Sequence, residues 1–280
     1  MGIITEKDFV KLRKYSIQIL REFIRICEKH DIDYFIIAGT AIGVERHGGF
    51  IPWDDDLDVG LLREDYDRFM EIAPTEMGSE YGIYAAELNK NIQGLWAQMY
   101  IKGTRYVTKK NAKWPLHPGI KIDVCPYDYM PDDDKECRAW YKKFRFWNRL
   151  YIIRNTKVPD LDLKGIKLLI TKVLCKVAYW GMKIGGPSVD KIMEKCGTIA
   201  REHEGKTQWV TFLDDPHPDK WKMSKEEIFP LQEKYFEDVK VKIPNKNHEC
   251  LTRGYGDYMV PPPKEQRGGH YLTELNFPEE

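Results

Sequence analysis

Apolar positions along the chain change their period several times, and each change marks an element. Phe9, Leu12, Ile19, Phe23 and Cys27 lie three, four or seven residues apart, which places them on one face of an α-helix. Thr5, with Asp8 three residues on, forms a weak capping box at its start, so a helix is predicted over 5–30. Tyr34-Phe35-Ile36-Ile37-Ala38 is an unbroken apolar run ending at Gly39, the signature of a short buried strand. A second strand is predicted over 57–62 and a helix over 63–73. Residues 81–88, 95–102 and 119–124 read as further strands. Helix, strand, helix, strand and then more strands predict an α+β fold, a sheet with helices on its faces. After Pro131 the pattern turns helical, over 132–156 and 163–203. From Ser224 short strand signals lead to the loop Val260-Pro261-Pro262-Pro263. A soft boundary therefore falls near 130. Residues 1–130 form the core, and 131–280 form a mainly helical lobe expected to pack on it rather than fold alone.

Composition narrows the function. Lys plus Arg and Asp plus Glu both number 44, and the zero net charge argues against a nucleic-acid binder, which needs a basic excess. Aromatic residues reach 12%, enough to supply stacking and cation–π contacts. The six cysteines show no metal-ligand spacing and are expected to be reduced thiols. The opening MGIITEKDFVKLRK has neither the apolar region nor the cleavage site of a secretory signal, and Glu6 breaks the myristoylation pattern. No window approaches the roughly 18 apolar residues of a membrane span. A cytoplasmic protein is expected.

The strongest local signal is Ile51-Pro52-Trp53-Asp54-Asp55-Asp56-Leu57-Asp58-Val59-Gly60. Four carboxylates stand within five residues and repel one another at neutral pH. In an extended chain Asp54, Asp56 and Asp58 share one face while Leu57 and Val59 point into a core. Such a convergence suits a hard cation, Mg²⁺ or Mn²⁺, better than a solvated acidic turn, which has no need of alternating apolar residues. Ala38-Gly39-Thr40-Ala41 stands upstream, after a strand and before a short helix, where backbone N–H groups can meet a phosphate. Asp123 interrupts the apolar strand Ile120-Lys121-Ile122-Asp123-Val124 and needs a partner there, either a metal on a neighbouring strand or a Lys or Arg.

A Gly-Thr helix start, an Asp-x-Asp strand and a third Asp on a later strand resemble the nucleotidyltransferase fold of the DNA polymerase β type. The longer stretch Gly39-Thr40-Ala41-Ile42-Gly43-Val44-Glu45-Arg46-His47-Gly48-Gly49-Phe50-Ile51-Pro52-Trp53-Asp54-Asp55-Asp56-Leu57-Asp58-Val59 is similar to the LicD family, which includes fukutin-related proteins. Ile122-Asp123-Val124-Cys125-Pro126-Tyr127-Asp128 and Arg253-Gly254-Tyr255-Gly256-Asp257-Tyr258-Met259 with Pro261-Pro262-Pro263, a C-terminal motif over 253–263, agree with it. Ile42 and Val44-Glu45 depart from the commoner family residues.

The resemblance implies transfer of a phospho-alcohol, phosphocholine in the bacterial-type branch and ribitol phosphate in the eukaryotic one. The donor would be CDP-choline or a similar CDP-alcohol, the acceptor a glycan or lipid-linked glycan of teichoic acid, capsule or lipopolysaccharide, and the by-product CMP. Asp56, Asp58 and Asp123 would hold Mg²⁺ or Mn²⁺, with Asp54 as a further ligand and Asp123 as acceptor of the hydroxyl proton. Gly39, Thr40, Arg46 and His47 would meet phosphate. Trp53, Trp96, Tyr100, Trp114, Tyr127, Tyr129, Tyr255 and Tyr258 are candidates for a choline cage, and Arg267 and His270 for closing over the donor. Two other readings remain open: a nucleotidyltransferase acting on a small molecule, and a non-catalytic metal-binding scaffold. Residues 163–189, with five lysines, no acidic residue and an apolar side, predict peripheral contact with the inner face of a membrane.

Overall fold

The computed structural model describes residues 5–90, 92–159, 161, 163–268 and 272–278. In chain order they form α1 (Glu6–Lys29), β1 (Phe35–Ile36), α2 (Ala38–His47), β2 (Asp58–Leu62), α3 (Arg63–Glu76), β3 (Tyr81–Tyr84), α4 (Ala86–Asn89), β4 (Ala97–Ile101), β5 (Arg105–Thr108) and β6 (Lys121–Tyr129). Then come α5 (Asp134–Asn155), α6 (Gly165–Gly185), α7 (Val189–Ala200), β7 (Trp209–Phe212), α8 (Pro218–Trp221), β8 (Met223–Ser224), α9 (Lys225–Ile228), β9 (Gln232–Phe236), β10 (Val239–Ile243), α10 (Asn247–Tyr255) and β11 (Leu272–Asn276).

One mixed sheet organises these elements. Its path is β1-β2-β6-β4-β3, and β7 joins the far half of β6 and carries β8. Only β2 and β6 run parallel to one another; the other pairings are antiparallel. The nine residues of β6 serve three neighbours, β2 and β4 along the first part and β7 along Tyr127–Tyr129. Among the described residues two further antiparallel pairs lie outside this sheet, the hairpin β9–β10 and the long-range pair β5 with β11.

α1 buries Leu12, Ile19, Leu20, Phe23 and Cys27 against Val59 and Leu61 of β2, Ile122 and Val124 of β6 and Phe69 of α3. Its capping box at Thr5 and Asp8 forms as the sequence predicts. A second cluster joins α5 and α7 through Trp140, Phe144, Tyr151, Ile192 and Cys196. The predicted divide near 130 falls at the end of β6. Beyond it α5, α6 and α7 are helical, but β7 returns to the central sheet, and Phe236, Val241 and Leu251 enter the α1 core.

Three local expectations differ from the structure. The strand expected at 34–38 pairs over two residues only, because Ala38 turns to φ +52° and starts α2, so Gly39 and Thr40 lie inside that helix. The strand expected to reach Leu88 stops at Tyr84, and Asn89 Oδ1 accepts the Ala85 N–H to close a short helical turn. The single helix expected over 163–203 breaks at Gly185-Gly186-Pro187, where Ser188 caps α7 by accepting the Lys191 N–H.

Arg63, the first residue of α3, ties it to the sheet. Its Nε donates to Asp128 Oδ1 at 2.6 Å, and both side chains are almost wholly inaccessible. Asp128, at the end of the segment 122–128 that carries part of the resemblance, thus serves the fold. Removing Asp128 leaves the buried Arg63 charge only the longer, partly exposed contact with Asp67 at 3.6 Å. Asp128→Asn should therefore lower the unfolding free energy by roughly 3–5 kcal/mol, read by urea denaturation at neutral pH. A loss below about 1 kcal/mol, the size of a surface pair, would show that the pair does not anchor α3.

Candidate active site

The parallel pairing of β2 with β6 sets Asp58 directly beside Asp123. Paired residues on neighbouring strands project to the same face, so the two carboxylates converge at the strand starts. Leu57 O accepts the Asp123 N–H at 2.8 Å, which extends the ladder to the residue after Asp56. Carboxylate oxygens of Asp56, Asp58 and Asp123 all lie within 4.8 Å of one another. A second group, Asp54, Asp55 and Asp56, meets the same criterion and shares Asp56 with the first. Asp55 is buried and accepts the Tyr106 hydroxyl at 3.2 Å.

The acidic loop is held from both ends of the chain. Arg13 on α1 sends one Nη2 to the carbonyls of Ile51, Pro52 and Asp54 at 2.8, 2.9 and 3.0 Å. Before the loop, Gly48 adopts φ +66°, and a Cβ on Gly49 would collide with the Glu237 carboxylate. Glu237, at the tip of the β9–β10 hairpin, accepts the Phe50 N–H at 3.1 Å and gives its own N–H to Gly48 O at 2.7 Å. Only glycine permits that approach.

Charge in the cluster is unevenly distributed. Asp123 Oδ1 accepts Trp96 Nε1 and Gln98 Nε2, both at 2.8 Å, and its other oxygen is ion-paired with Lys121. Burial would raise the Asp123 carboxyl, but Lys121 and these donors outweigh it and hold the group below the usual carboxylate range. Asp58 is different: burial, then the charges of Asp56 and Asp123, push its carboxyl well above that range. The Lys121 ammonium lies in the field of all three carboxylates, and their donor set is entirely hard oxygen, which suits a divalent cation.

The structure distributes the other expected residues as follows. Gly39 lies in the first turn of α2, where a Cβ would stand 2.7 Å from Asp54 Oδ2. Thr40 is buried, and its hydroxyl accepts the Asp58 N–H at 2.9 Å, so it fixes the start of β2. Arg46 donates to the Tyr258 carbonyl, and with Arg267 it covers the Trp53 ring at 5.9 and 4.7 Å. Burial, then Arg46, lowers the His47 imidazole. Tyr255 is 43% exposed and rests edge-on against Trp221, and burial, then the field of Asp58, Asp54 and Asp56, raises its hydroxyl. Of the remaining cage candidates only Trp96 reaches the carboxylates. Tyr127, Tyr129 and Trp114 are buried in packing clusters, Tyr100 stacks on Tyr84, and Tyr258 meets His248. His270 lies outside the described residues.

Beside Asp123 opens a cavity of about 190 Å³, lined by Trp96, Gln98, Tyr106, Lys110 and Lys121. A second, of about 410 Å³, shares Trp96 and Lys110 with it and continues along Arg145, Arg149 and Pro159. A larger one of about 550 Å³ lies by Arg63, Asp128 and Arg201, away from the carboxylates.

The three converging carboxylates all lie within the segment over which this chain matches a known family. The sequence profile described as LicD/FKTN/FKRP, nucleotidyltransferase domain, matches residues 31–149, and the chain belongs to the LicD family. It is 30% identical over 270 residues to the lipopolysaccharide cholinephosphotransferase LicD of Haemophilus influenzae, covering 92% of this chain and 94% of that protein. It is also 26% identical over 98 residues to the human ribitol 5-phosphate transferase FKRP, covering 35% of this chain and 19% of FKRP.

Arg13, Gln98, Lys121 and Glu237 were not singled out in the sequence. Lys121 stands two residues from Asp123 in a strand, and that spacing places it on the same face. The other three carry no local signal. Because one Arg13 nitrogen serves three loop carbonyls, Arg13→Ala should destabilise the chain by about 1.5–3 kcal/mol. It should also speed hydrogen exchange at residues 50–56 relative to α3. Unchanged protection there would remove Arg13 from the support of the loop.

Proposed function

We propose that the protein transfers phosphocholine, or a related phospho-alcohol, from a CDP-linked donor to a hydroxyl of a cell-surface glycan precursor and releases CMP. One observation carries this reading: Asp56, Asp58 and Asp123 converge in a chain alike over nearly its whole length to a cholinephosphotransferase. In the reaction a glycan oxygen bonds to the phosphorus bearing the alcohol. The bond from that phosphorus to the oxygen of CMP breaks, and the hydroxyl proton passes to a carboxylate.

Asp56, Asp58 and Asp123 would hold Mg²⁺ or Mn²⁺, with Asp54 beside them, and the bound ion would neutralise the diphosphate and the departing CMP. The ion pair with Lys121 and the two donors on Oδ1 occupy Asp123 and lower its basicity, which favours a charge-holding role there. Proton acceptance then falls to Asp58 or Asp56. Lys121, at the cavity beside Asp123, supplies a cation for phosphate oxygens. Of the aromatic cage candidates, Trp96 hydrogen-bonds Asp123 and Tyr255 lies in the field of Asp58, Asp54 and Asp56, and they suit a quaternary ammonium better than Trp53, whose ring two guanidinium groups already cover.

The experiment is a donor screen. The protein, with Mg²⁺ or Mn²⁺ and a glycan acceptor, is given CDP-choline, CDP-ethanolamine, CDP-ribitol or CDP-glycerol, and separately ATP or UTP, while CMP and diphosphate are followed. CMP release from a CDP-alcohol supports the proposal. Consumption of ATP or UTP alone would make the protein a nucleotidyltransferase, and turnover of none would make it a scaffold.

Two outcomes are expected for the active enzyme. Excess EDTA should abolish turnover and added Mg²⁺ or Mn²⁺ should restore it; rates indifferent to the chelator would remove the metal. Asp56→Asn and Asp58→Asn should each lower turnover by about two orders of magnitude or more. The melting temperature of the metal-free protein should hold or rise as like-charge repulsion is relieved. Wild-type turnover from either variant would remove that residue from the site.

A further inference from the structure

α6 is a helix of 21 residues with no buried side chain. Its inward face, formed by Leu168, Thr171, Cys175, Ala178, Tyr179 and Met182, is only half-buried. Arg154 of α5 donates to the Met182 carbonyl, and Lys157 lies over the rings of Tyr179 and Trp180. The helix is thereby moored to α5 along one side. The opposite side is apolar and faces solvent: Ile166, Leu169, Ile170, Val173, Leu174, Val177, Trp180 and Ile184 are each more than half exposed, from 53% to 86%. At 3.6 residues per turn these eight fall within an arc of about 140°, a single continuous stripe. Scattered exposed apolar residues need no explanation, but a stripe along a whole helix does.

Charge identifies what covers the stripe. Lys172, Lys176 and Lys183 line one edge of it, Lys167 lies at the other, and residues 163–189 contain no acidic side chain. A second copy of the chain would set these lysines against their own kind, at a cost in repulsion. An anionic bilayer satisfies both features at once: the apolar stripe enters the acyl boundary, and the flanking lysines reach lipid phosphates. Among the described residues no helix is long and apolar enough to cross a membrane, so the contact is interfacial.

We infer that α6 is a membrane-docking helix that lies in the surface of an anionic lipid bilayer, apolar stripe inward. Docking there gives the catalytic face a fixed relation to the bilayer. The 410 Å³ cavity that begins at Trp96 ends at Arg149, Ile152 and Pro159, on the C-terminal part of α5 and the segment leading into α6. An acceptor carried on a lipid would approach from that side. The docking itself is read without turnover, so it stands or falls separately from the proposed reaction.

The test is sedimentation of the full chain with phosphatidylcholine vesicles, with and without phosphatidylglycerol, at low and raised salt. The protein should pellet with phosphatidylglycerol vesicles at low salt and be released as salt rises. Replacing Lys172, Lys176 and Lys183 together by Gln should weaken partitioning on the order of a hundredfold, since each lysine near an anionic surface is worth roughly fivefold. Val173→Asp with Val177→Asp should abolish binding at every salt concentration. Both positions are exposed, so the melting temperature should not change, which separates lost docking from lost folding. Wild-type protein left in the supernatant at low salt would overturn the inference, as would equal, salt-independent binding to the uncharged vesicles. A lipid-free dimer in analytical ultracentrifugation that Val173→Asp with Val177→Asp dissolves would assign the stripe to a second copy instead.

Discussion

Repulsion among the carboxylates at the starts of β2 and β6 is the constraint on which this architecture turns. Left alone, a chain carrying Asp54, Asp55, Asp56 and Asp58 would extend and hydrate them. The fold opposes that at each point. Asp58 and Asp123 are locked side by side by a parallel ladder, Thr40 holds the Asp58 amide, and Lys121, Trp96 and Gln98 stabilise the charge on Asp123. The result is asymmetric: Asp123 is held charged, and the burden of the excess negative charge falls on Asp58. Such an arrangement is costly for a fold and suited to a ligand that brings positive charge.

Distant parts of the chain share that cost. Arg13 lies more than thirty residues before the acidic loop, and the hairpin bearing Glu237 lies far after it. Both hold backbone groups of the loop, Arg13 its carbonyls and Glu237 the Phe50 N–H. The C-terminal hairpin also packs Phe236 edge-on against Phe50 at 4.9 Å, within the core that α1 covers. The carboxylate cluster is therefore not the property of the first 130 residues alone, since its loop is set by a turn nearly two hundred residues away.

Legibility followed the range of the interactions. Asp56 and Asp58 could be read because four carboxylates among alternating apolar residues form a local anomaly. Asp123 could be read because a charge in an apolar strand demands a partner, and the structure supplies a lysine beside the neighbouring carboxylates. α1 was legible from its period and cap, which are contained in a few turns. What was not legible depends on register. Nothing in the local sequence says that β5, β7 and β11 pair as they do, or that Thr40 serves a backbone amide rather than an open phosphate site. The aromatic candidates were the least separable, since most of the Trp and Tyr side chains proposed for recognition are packing or hydrogen-bonding within the interior, and only three-dimensional placement leaves Trp96 and Tyr255 at the carboxylates.

α5 links the two surfaces that matter for function. On one side Asn148 pairs with Asp214, and Asp214 accepts the Leu95 N–H at 2.8 Å, one residue before the Trp96 that hydrogen-bonds Asp123. Burial raises Asp214 to about 6, so at neutral pH this junction holds a desolvated charge satisfied by an amide and a backbone N–H. On another side Arg154 moors α6 through the Met182 carbonyl. Asn148 and Arg154 lie six residues apart on α5, roughly 9 Å along its axis. The hold on α6 and the junction with Leu95 are therefore made from neighbouring turns of one helix. For the proposed docking, that short path along α5 is what ties the apolar stripe to the carboxylate cluster, because an element held far from the cluster would allow contact with a surface and impose no direction on the groove.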